Sequence, residues 1–236
     1  MGDVTEWEPE AENWLRWART PGHDAYWYYR DAFFELLPPP GAHTIELGSG
    51  EGRVARDLAE RGHRVMGVEP SRTLARHARD ADDAGAYVVA DGAAVPGASG
   101  AFDLVVAYNS LQVVADMRAT VREAARLLRP GGHLCVTVSH PAMDLGRFEK
   151  TDGGLAFTVR AGYFESRRVE DTIEMDGLGV TCRGWTYTLE DYMAAFAAAG
   201  LVVEALREPK PTAPSPNFER WNDIPLFLMA RLLKLR

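Results

Sequence analysis

Thr44-Ile45-Glu46-Leu47-Gly48-Ser49-Gly50-Glu51-Gly52-Arg53-Val54 is the stretch that decides how this chain folds. It reads as a short apolar strand, a glycine turn, and a helix opening near Arg53. Three glycines at spacing two let the backbone approach a ligand where a Cβ would collide. The turn is expected to point free backbone N–H groups at that ligand. A second apolar strand follows at Arg64-Val65-Met66-Gly67-Val68 and stops at Glu69. In a strand–turn–helix–strand unit, an acid there accepts hydrogen bonds from both hydroxyls of a ribose. The pattern predicts a nucleoside-binding site.

Outward from this unit the chain keeps alternating. Strands are predicted at 43–47, 64–68, 86–89, 102–107 and 133–139, and helices at about 52–61, 71–80 and 116–128. Apolar runs separated by amphipathic helices predict a parallel sheet covered on both faces. Upstream, residues 10 to 37 read as helical and carry Trp14, Trp17, Tyr26, Trp27, Tyr28, Tyr29, Phe33 and Phe34. Thr20-Pro21-Gly22 splits them into two helices, and Pro38-Pro39-Pro40-Gly41 stops the second. Past Pro141 the alternation breaks, and only Ala156–Arg160 and Val180–Arg183 read as β-like. Thr188 and Asp191 form an approximate capping box for a helix running through Ala199, with Gly200 behind it. Leu201–Leu206 and Leu226–Leu232 read as the last two strands. Between them, prolines 209, 211, 214 and 216 predict a stiff loop.

At 236 residues, the chain is long enough for one α/β domain with decorations. Hydrophobic residues at 46% and charged residues at 25% are ordinary for a globular protein. No apolar run approaches the ~20 residues of a membrane span. The acidic stretch Met1 to Glu12 lacks the basic-then-apolar pattern of a signal peptide. Cys135 and Cys182 have no metal-ligand spacing, so no metal and a reducing cytoplasm are expected. A net charge of −8, with arginines scattered among acids, argues against nucleic acid as a partner.

The glycine spacing is G-x-G-x-G, not the G-x-G-x-x-G of dinucleotide folds, and Arg53 stands where the third glycine would be. In order along the chain come Glu46-Leu47-Gly48-Ser49-Gly50-Glu51-Gly52, Glu69, Ala90-Asp91-Gly92, and Leu128-Arg129-Pro130-Gly131-Gly132. That set resembles the class I S-adenosylmethionine (SAM)-dependent methyltransferases, over roughly residues 40 to 140. The resemblance implies a Rossmann-like, mostly parallel seven-stranded sheet whose last strand is antiparallel, with helices on both faces. It implies a single domain: an aromatic helical cap (1–40), a SAM-binding core (41–140), a substrate-cap insertion after strand five (141–187), and a C-terminal helix and strands (188–236). It also assigns roles. Gly48, Ser49 and Gly50 would run beside the amino acid and ribose of SAM, with Glu46 ordering the turn. Glu69 would hold the ribose hydroxyls. Pro70 has no N–H, so backbone contacts there would start at Ser71, itself a helix N-cap candidate. Asp91 would accept from the adenine amino group beside Gly92, and either acid could instead be a turn-former. Tyr108 and Asn109 would line the methionine end. Tyr28 and Tyr29 are adjacent and cannot both face the core, so one is expected to meet a ligand, and Tyr29 joins the cofactor set.

Methyl transfer to oxygen or nitrogen often needs a base. His140, in Ser139-His140-Pro141 after strand five, is the leading candidate, and His23 the second. The other reading of His140 is a loop hydrogen bond. His43, His63, His77 and His133 look like element-edge residues, and the segment after strand four carries Gln112 where many of the family have histidine. The expected partner is a small-molecule acceptor, planar or apolar in view of the aromatic cap. Alternatives are a nicotinamide-dependent oxidoreductase and a non-catalytic SAM-binding protein.

Overall fold

Strict alternation along the central strands is what puts a core on each side of one sheet. In β4 (Phe102–Tyr108), Leu104, Val106 and Tyr108 face one way, and Val105 and Ala107 the other. The same switch occurs in β11 (Phe227–Lys234), between Phe227 and Met229 on one face and Leu228, Ala230 and Leu232 on the other. Such two-sided burial requires cover on both faces. The computed structural model describes residues 7–213 and 218–235 and shows that cover. On one face lie α2 (Tyr26–Phe34) and α3 (Arg53–Glu60), through Tyr26, Tyr29, Phe33, Val54 and Leu58. On the other lie α5 (Met117–Leu127) and α6 (Leu189–Ala198), through Val121, Ala124, Leu127, Tyr192 and Phe196.

The sheet has seven strands in the order β10-β11-β5-β4-β1-β2-β3. Here β1 is Thr44–Leu47, β2 Val65–Val68, β3 Ala86–Val88, β5 Leu128–Ser139 and β10 Leu201–Arg207. β1 pairs in parallel with β2 and β4, while β11 runs antiparallel to both its neighbours. Strand order reverses at β1, where β2 lies on one side and β4 on the other. That reversal is where open α/β sheets form a ligand crevice beyond the strands' carboxyl ends. The fold is the α/β, Rossmann-like architecture with one antiparallel strand that the motifs predicted.

Several boundaries differ. β5 starts at Leu128, not 133, because Leu128 already pairs with Phe102; the register then shifts across Arg129–Gly132, where Gly131 has a φ of 76°. The region after Pro141 holds two hairpins, not two isolated pieces. β6 (Gly146–Thr151) pairs with β7 (Gly154–Val159), and β8 (Arg168–Met175) with β9 (Leu178–Trp185). Arg160 lies outside β7. α1 (Ala11–Arg19) and α4 (Arg72–Asp80) complete the helices, and α1 packs on both β9 and α4. The Thr188–Asp191 capping box is present in both directions. Pro214 and Pro216 of the predicted stiff loop lie outside the described residues, and Glu219–Asn222 forms a 3-10 turn. Among the described residues, no helix is long and apolar enough to cross a membrane.

Candidate cofactor and active site

The glycine turn is fixed by its backbone angles. Gly48, Gly50 and Gly52 all have positive φ, at 75°, 56° and 84°. At Gly48 the approach is also close, since a Cβ there would stand 2.6 Å from Cβ of Ser110. L-residues strain at such angles, which is why glycine occupies them.

Four of the turn's N–H groups, those of Gly48, Ser49, Gly50 and Gly52, are not free, contrary to the sequence expectation. Gly48 and Ser49 both donate to the Val68 carbonyl, at 2.8 and 3.0 Å, and Gly52 donates to Ser49. Gly50 N–H donates to Glu69 Oε2 at 2.8 Å, and Ser71 N–H to Glu69 Oε1 at 2.9 Å. The reason is parallel register. With Leu47 opposite Val68, the residues following each strand remain side by side. Glu69 therefore ties the turn to the start of α4. It is buried, and burial pushes its carboxyl up to about 7 against the lowering effect of the two amides. Each carboxylate oxygen keeps a second lone-pair site for a hydroxyl donor. Pro70 follows Glu69, and Ser71 caps α4 by accepting from Leu74 N–H.

Glu46 is fully enclosed on β1. Burial raises its carboxyl well above the usual range, opposed by Arg53, and its Oε2 has no partner in the protein. Ser49 Oγ, Asn109 Oδ1 and Ser110 Oγ are likewise buried without a protein partner. Asn109 closes β4 with φ 52°, a strained angle for a residue with a side chain. The stretch Tyr108–Ser110 thus sets one strained residue and three unpartnered polar groups, counting the Tyr108 hydroxyl, beside the glycine turn.

Asp91 lies partly buried beyond β3. Its Oδ1 accepts from Ala93 N–H at 2.9 Å and its carbonyl from Ala94 N–H, a turn-forming arrangement. Gly92 is buried, and a Cβ there would meet Thr120 at 3.3 Å. Tyr29 is fully buried in α2 against Phe227, and Tyr28 stacks on Phe218 with centroids 4.5 Å apart. Both rings are therefore packed, because the loop before β11 supplies Tyr28 with a second apolar wall. The Tyr29 hydroxyl is nevertheless unpartnered.

His140 stands two strands from β1, where β5 meets β11. Its Nδ1 accepts from Ala142 N–H at 3.1 Å, so Nε2 carries the proton and donates to Glu208 at 2.8 Å. Both ring nitrogens hold the loop. His23 is buried against Trp17, with its ring nitrogens facing the carbonyls of Pro21 and Met175.

Three residues of this neighbourhood carried no site signal in the sequence. Glu8 accepts from Ser71 Oγ and Thr73 Oγ1, each at 2.6 Å, clamping the N-terminal segment onto α4. Trp14 reaches over the turn, its Nε1 3.6 Å from the Cβ position of Gly50. Arg53, visible in sequence only as the missing third glycine, is held by Asp24 at 2.6 Å.

The arrangement fits a SAM-type cofactor. A buried carboxylate stands at a glycine turn beside the strand-order reversal, and unpartnered polar groups face the same place. Residues 45–136 match a family model described as a methyltransferase domain. Malonyl-[acyl-carrier protein] O-methyltransferase of Salmonella typhimurium is 34% identical over 96 residues, 41% of this chain and 38% of that protein. Ubiquinone biosynthesis O-methyltransferase of a Methylobacterium species is 38% identical over 99 residues, 40% of each chain. The chain thus spans about two fifths of the length of these curated relatives. In fold, it resembles the crystal structure of a SAM-dependent methyltransferase from Mesorhizobium loti. The TM-score is 0.72 at 24% identity, covering 89% of this chain and 98% of that one. Residues 45–136 thus match a methyltransferase-domain model, and the chain has the fold of solved SAM-dependent methyltransferases.

Proposed function

We propose that the protein transfers a methyl group from SAM to an oxygen, nitrogen or carbon atom of a small-molecule acceptor. The observation that carries this reading is Glu69. It is a buried carboxylate fixed by Gly50 and Ser71 at the end of β2, with lone pairs left for the two hydroxyls of a ribose. Bound SAM would supply an activated methyl group on its sulfonium. The chain's part is to bind, orient and exclude water. Glu69 would hold the ribose; Gly48, Ser49 and Gly50 would lie along the amino acid and ribose, with Glu46 bracing the turn. Ser71, following Pro70, and Asp91 with Gly92 would border the adenosine. Tyr29, Tyr108 and Asn109 would border the methionine end. The O-methyltransferase names of the two relatives support a small acceptor. Both cysteines are free thiols, in keeping with a reducing cytoplasm.

Where the acceptor must lose a proton, His140 is the proposed base, on one condition. The Ala142 N–H must leave Nδ1, because a base needs that lone pair.

The test is a thermal-shift titration with S-adenosylhomocysteine (SAH), and separately with NADH, on the wild type and Glu69→Gln. A ligand at ~100 times its dissociation constant adds about 2.7 kcal/mol of stability. The expected result is a rise with SAH alone, reduced in Glu69→Gln. A rise with NADH alone would instead support the oxidoreductase reading.

A further inference from the structure

A carboxylate from the segment before α1 reaches the same residue that fixes Glu69. Ser71 donates its N–H to Glu69 Oε1 at 2.9 Å and its hydroxyl to Glu8 Oε2 at 2.6 Å. Thr73 donates its hydroxyl to Glu8 Oε1 at 2.6 Å and its N–H to Glu8 Oε2 at 3.3 Å. The two acids therefore meet on Ser71, although Glu8 precedes it by 63 positions. The hydrogen bonds from Ser71 and Thr73 hold the Glu8 carboxyl below its usual range, so it is ionised at neutral pH. Its charge is felt at Glu69, whose carboxyl is raised by burial and further by Glu8.

The first turn of a helix collects anions, through its free N–H groups and the positive end of its dipole. At α4 the chain supplies that anion itself. Glu12 extends the same cover along α4, to His77 at 3.1 Å and Arg76 at 3.6 Å. Further on, Arg19 pairs with Glu51 in the glycine turn at 2.9 Å. Between these anchors Trp14 lies over Gly50. Glu8 thus belongs to a segment seated across the nucleoside end of the site.

In nucleotide-binding sheets of this kind, the acid closing the second strand takes the ribose hydroxyls, and a nearby arginine accommodates a phosphate on the ribose. Here the group next to that acid is a second carboxylate. A ribose phosphate beside Ser71 would face two like charges. It would also find the hydroxyls of Ser71 and Thr73 already donated to Glu8.

We propose that Glu8 is a specificity residue that closes the ribose end of the site to nucleotides phosphorylated on a ribose hydroxyl. This deepens the proposed function and rests on Glu69 holding the ribose.

The experiment is calorimetric titration of the full chain with SAH, adenosine, adenosine 2′-phosphate and adenosine 3′-phosphate. Wild type, Glu8→Gln and Glu8→Ala are compared. Wild type should bind SAH and adenosine, and should prefer adenosine to either phosphate. Glu8→Gln should cut that preference about tenfold, the scale of one charge near a protein surface, with SAH and adenosine affinity within about twofold of wild type. Glu8→Ala, which also frees the Ser71 and Thr73 hydroxyls, should cut it further. Added salt should narrow the preference more in wild type than in Glu8→Gln. An unchanged preference in both variants would mean that Glu69 alone rejects the phosphate, and the proposal is overturned. Equal losses for adenosine and its phosphates would make Glu8 only a strap for its segment, which overturns it too. In both of those outcomes wild type still binds SAH. Failure of folded wild type to bind SAH or adenosine is a different result: it overturns the cofactor reading, and the role of Glu8 falls with it.

Discussion

β4 and β8 are strands of nearly equal length with opposite means of support. In β4, six of the seven residues are buried, and the strand is held by side chains packed on both faces. In β8, none is buried. That hairpin is held by its backbone ladder to β9, by a Thr172–Thr181 hydroxyl contact and by the Arg183–Glu170 ion pair. Apolar alternation sets register in the first case. In the second, the turn sets it: Asp176 and Gly177 both have positive φ, at 52° and 77°, the geometry of a tight two-residue hairpin. The lesson is that burial makes a strand visible in sequence, whereas an exposed hairpin shows itself mainly through its turn.

Truncating one buried and one exposed residue should give very different losses. Leu104→Ala should cost about 3 kcal/mol in urea unfolding, because the site lies between helices and sheet. Ile173→Ala, on the exposed hairpin, should cost under about 0.5 kcal/mol. Equal losses would mean that the hairpin is as integral to folding as the sheet.

Glycines sharpen the same contrast. Gly48→Ala combines a φ of 75° with a Cβ 2.6 Å from that of Ser110, so about 2 kcal/mol or more of stability should go. SAH binding should fall with it. Gly177→Ala has a φ of 77° but open space, and should lose only about 1 kcal/mol for the backbone angle.

Third in size is a pH effect confined to the core. Burial raises the Glu69 carboxyl from 4.5 to about 7. Ribose hydroxyls donate best to the ionised form, so SAH affinity should fall up to about tenfold per pH unit below 7. Glu69→Gln should flatten that dependence in calorimetric titrations. The sign for the ligand-free chain is opposite. The folded state keeps this proton to higher pH than the unfolded state, so its contribution to stability declines as pH rises from 4.5 towards 7. Glu8, whose carboxyl is lowered by its Ser71 and Thr73 hydrogen bonds, and Glu46, whose carboxyl is raised by burial, also face this region.

A further effect is at the helix that follows the hairpins. Thr188 Oγ1 accepts from Asp191 N–H, and Asp191 accepts from Thr188 N–H. Thr188→Ala should lower thermal stability by about 1 kcal/mol.

Much of the site was legible because chemistry and backbone coincide there. Glycine at 48, 50 and 52, and an acid closing β2, are needed both by the turn and by a nucleoside ligand. The hairpins were less legible, although Asp152-Gly153 and Asp176-Gly177 are the turn pairs that would have revealed them. Arg53 was legible only as an exception to a spacing. Its pairing with Asp24, 29 residues earlier, depends on where α2 packs.

The sequence alone determined the alternating strands and helices, the glycine turn, the acid after β2 and the capping of α6. These follow from local conformation and from periodic burial, which each segment carries within itself. Tertiary structure alone decided that the turn's amides are spent on Val68 and Glu69, that Tyr28 and Tyr29 are both packed, and that His140 is tied to Ala142 and Glu208. It also decided that Arg53 Nη1 and the Tyr29 and Tyr108 hydroxyls are buried without a protein partner. Each of those facts depends on partners distant in sequence, and hydrogen-bond capacity is assigned only when the chain closes upon itself.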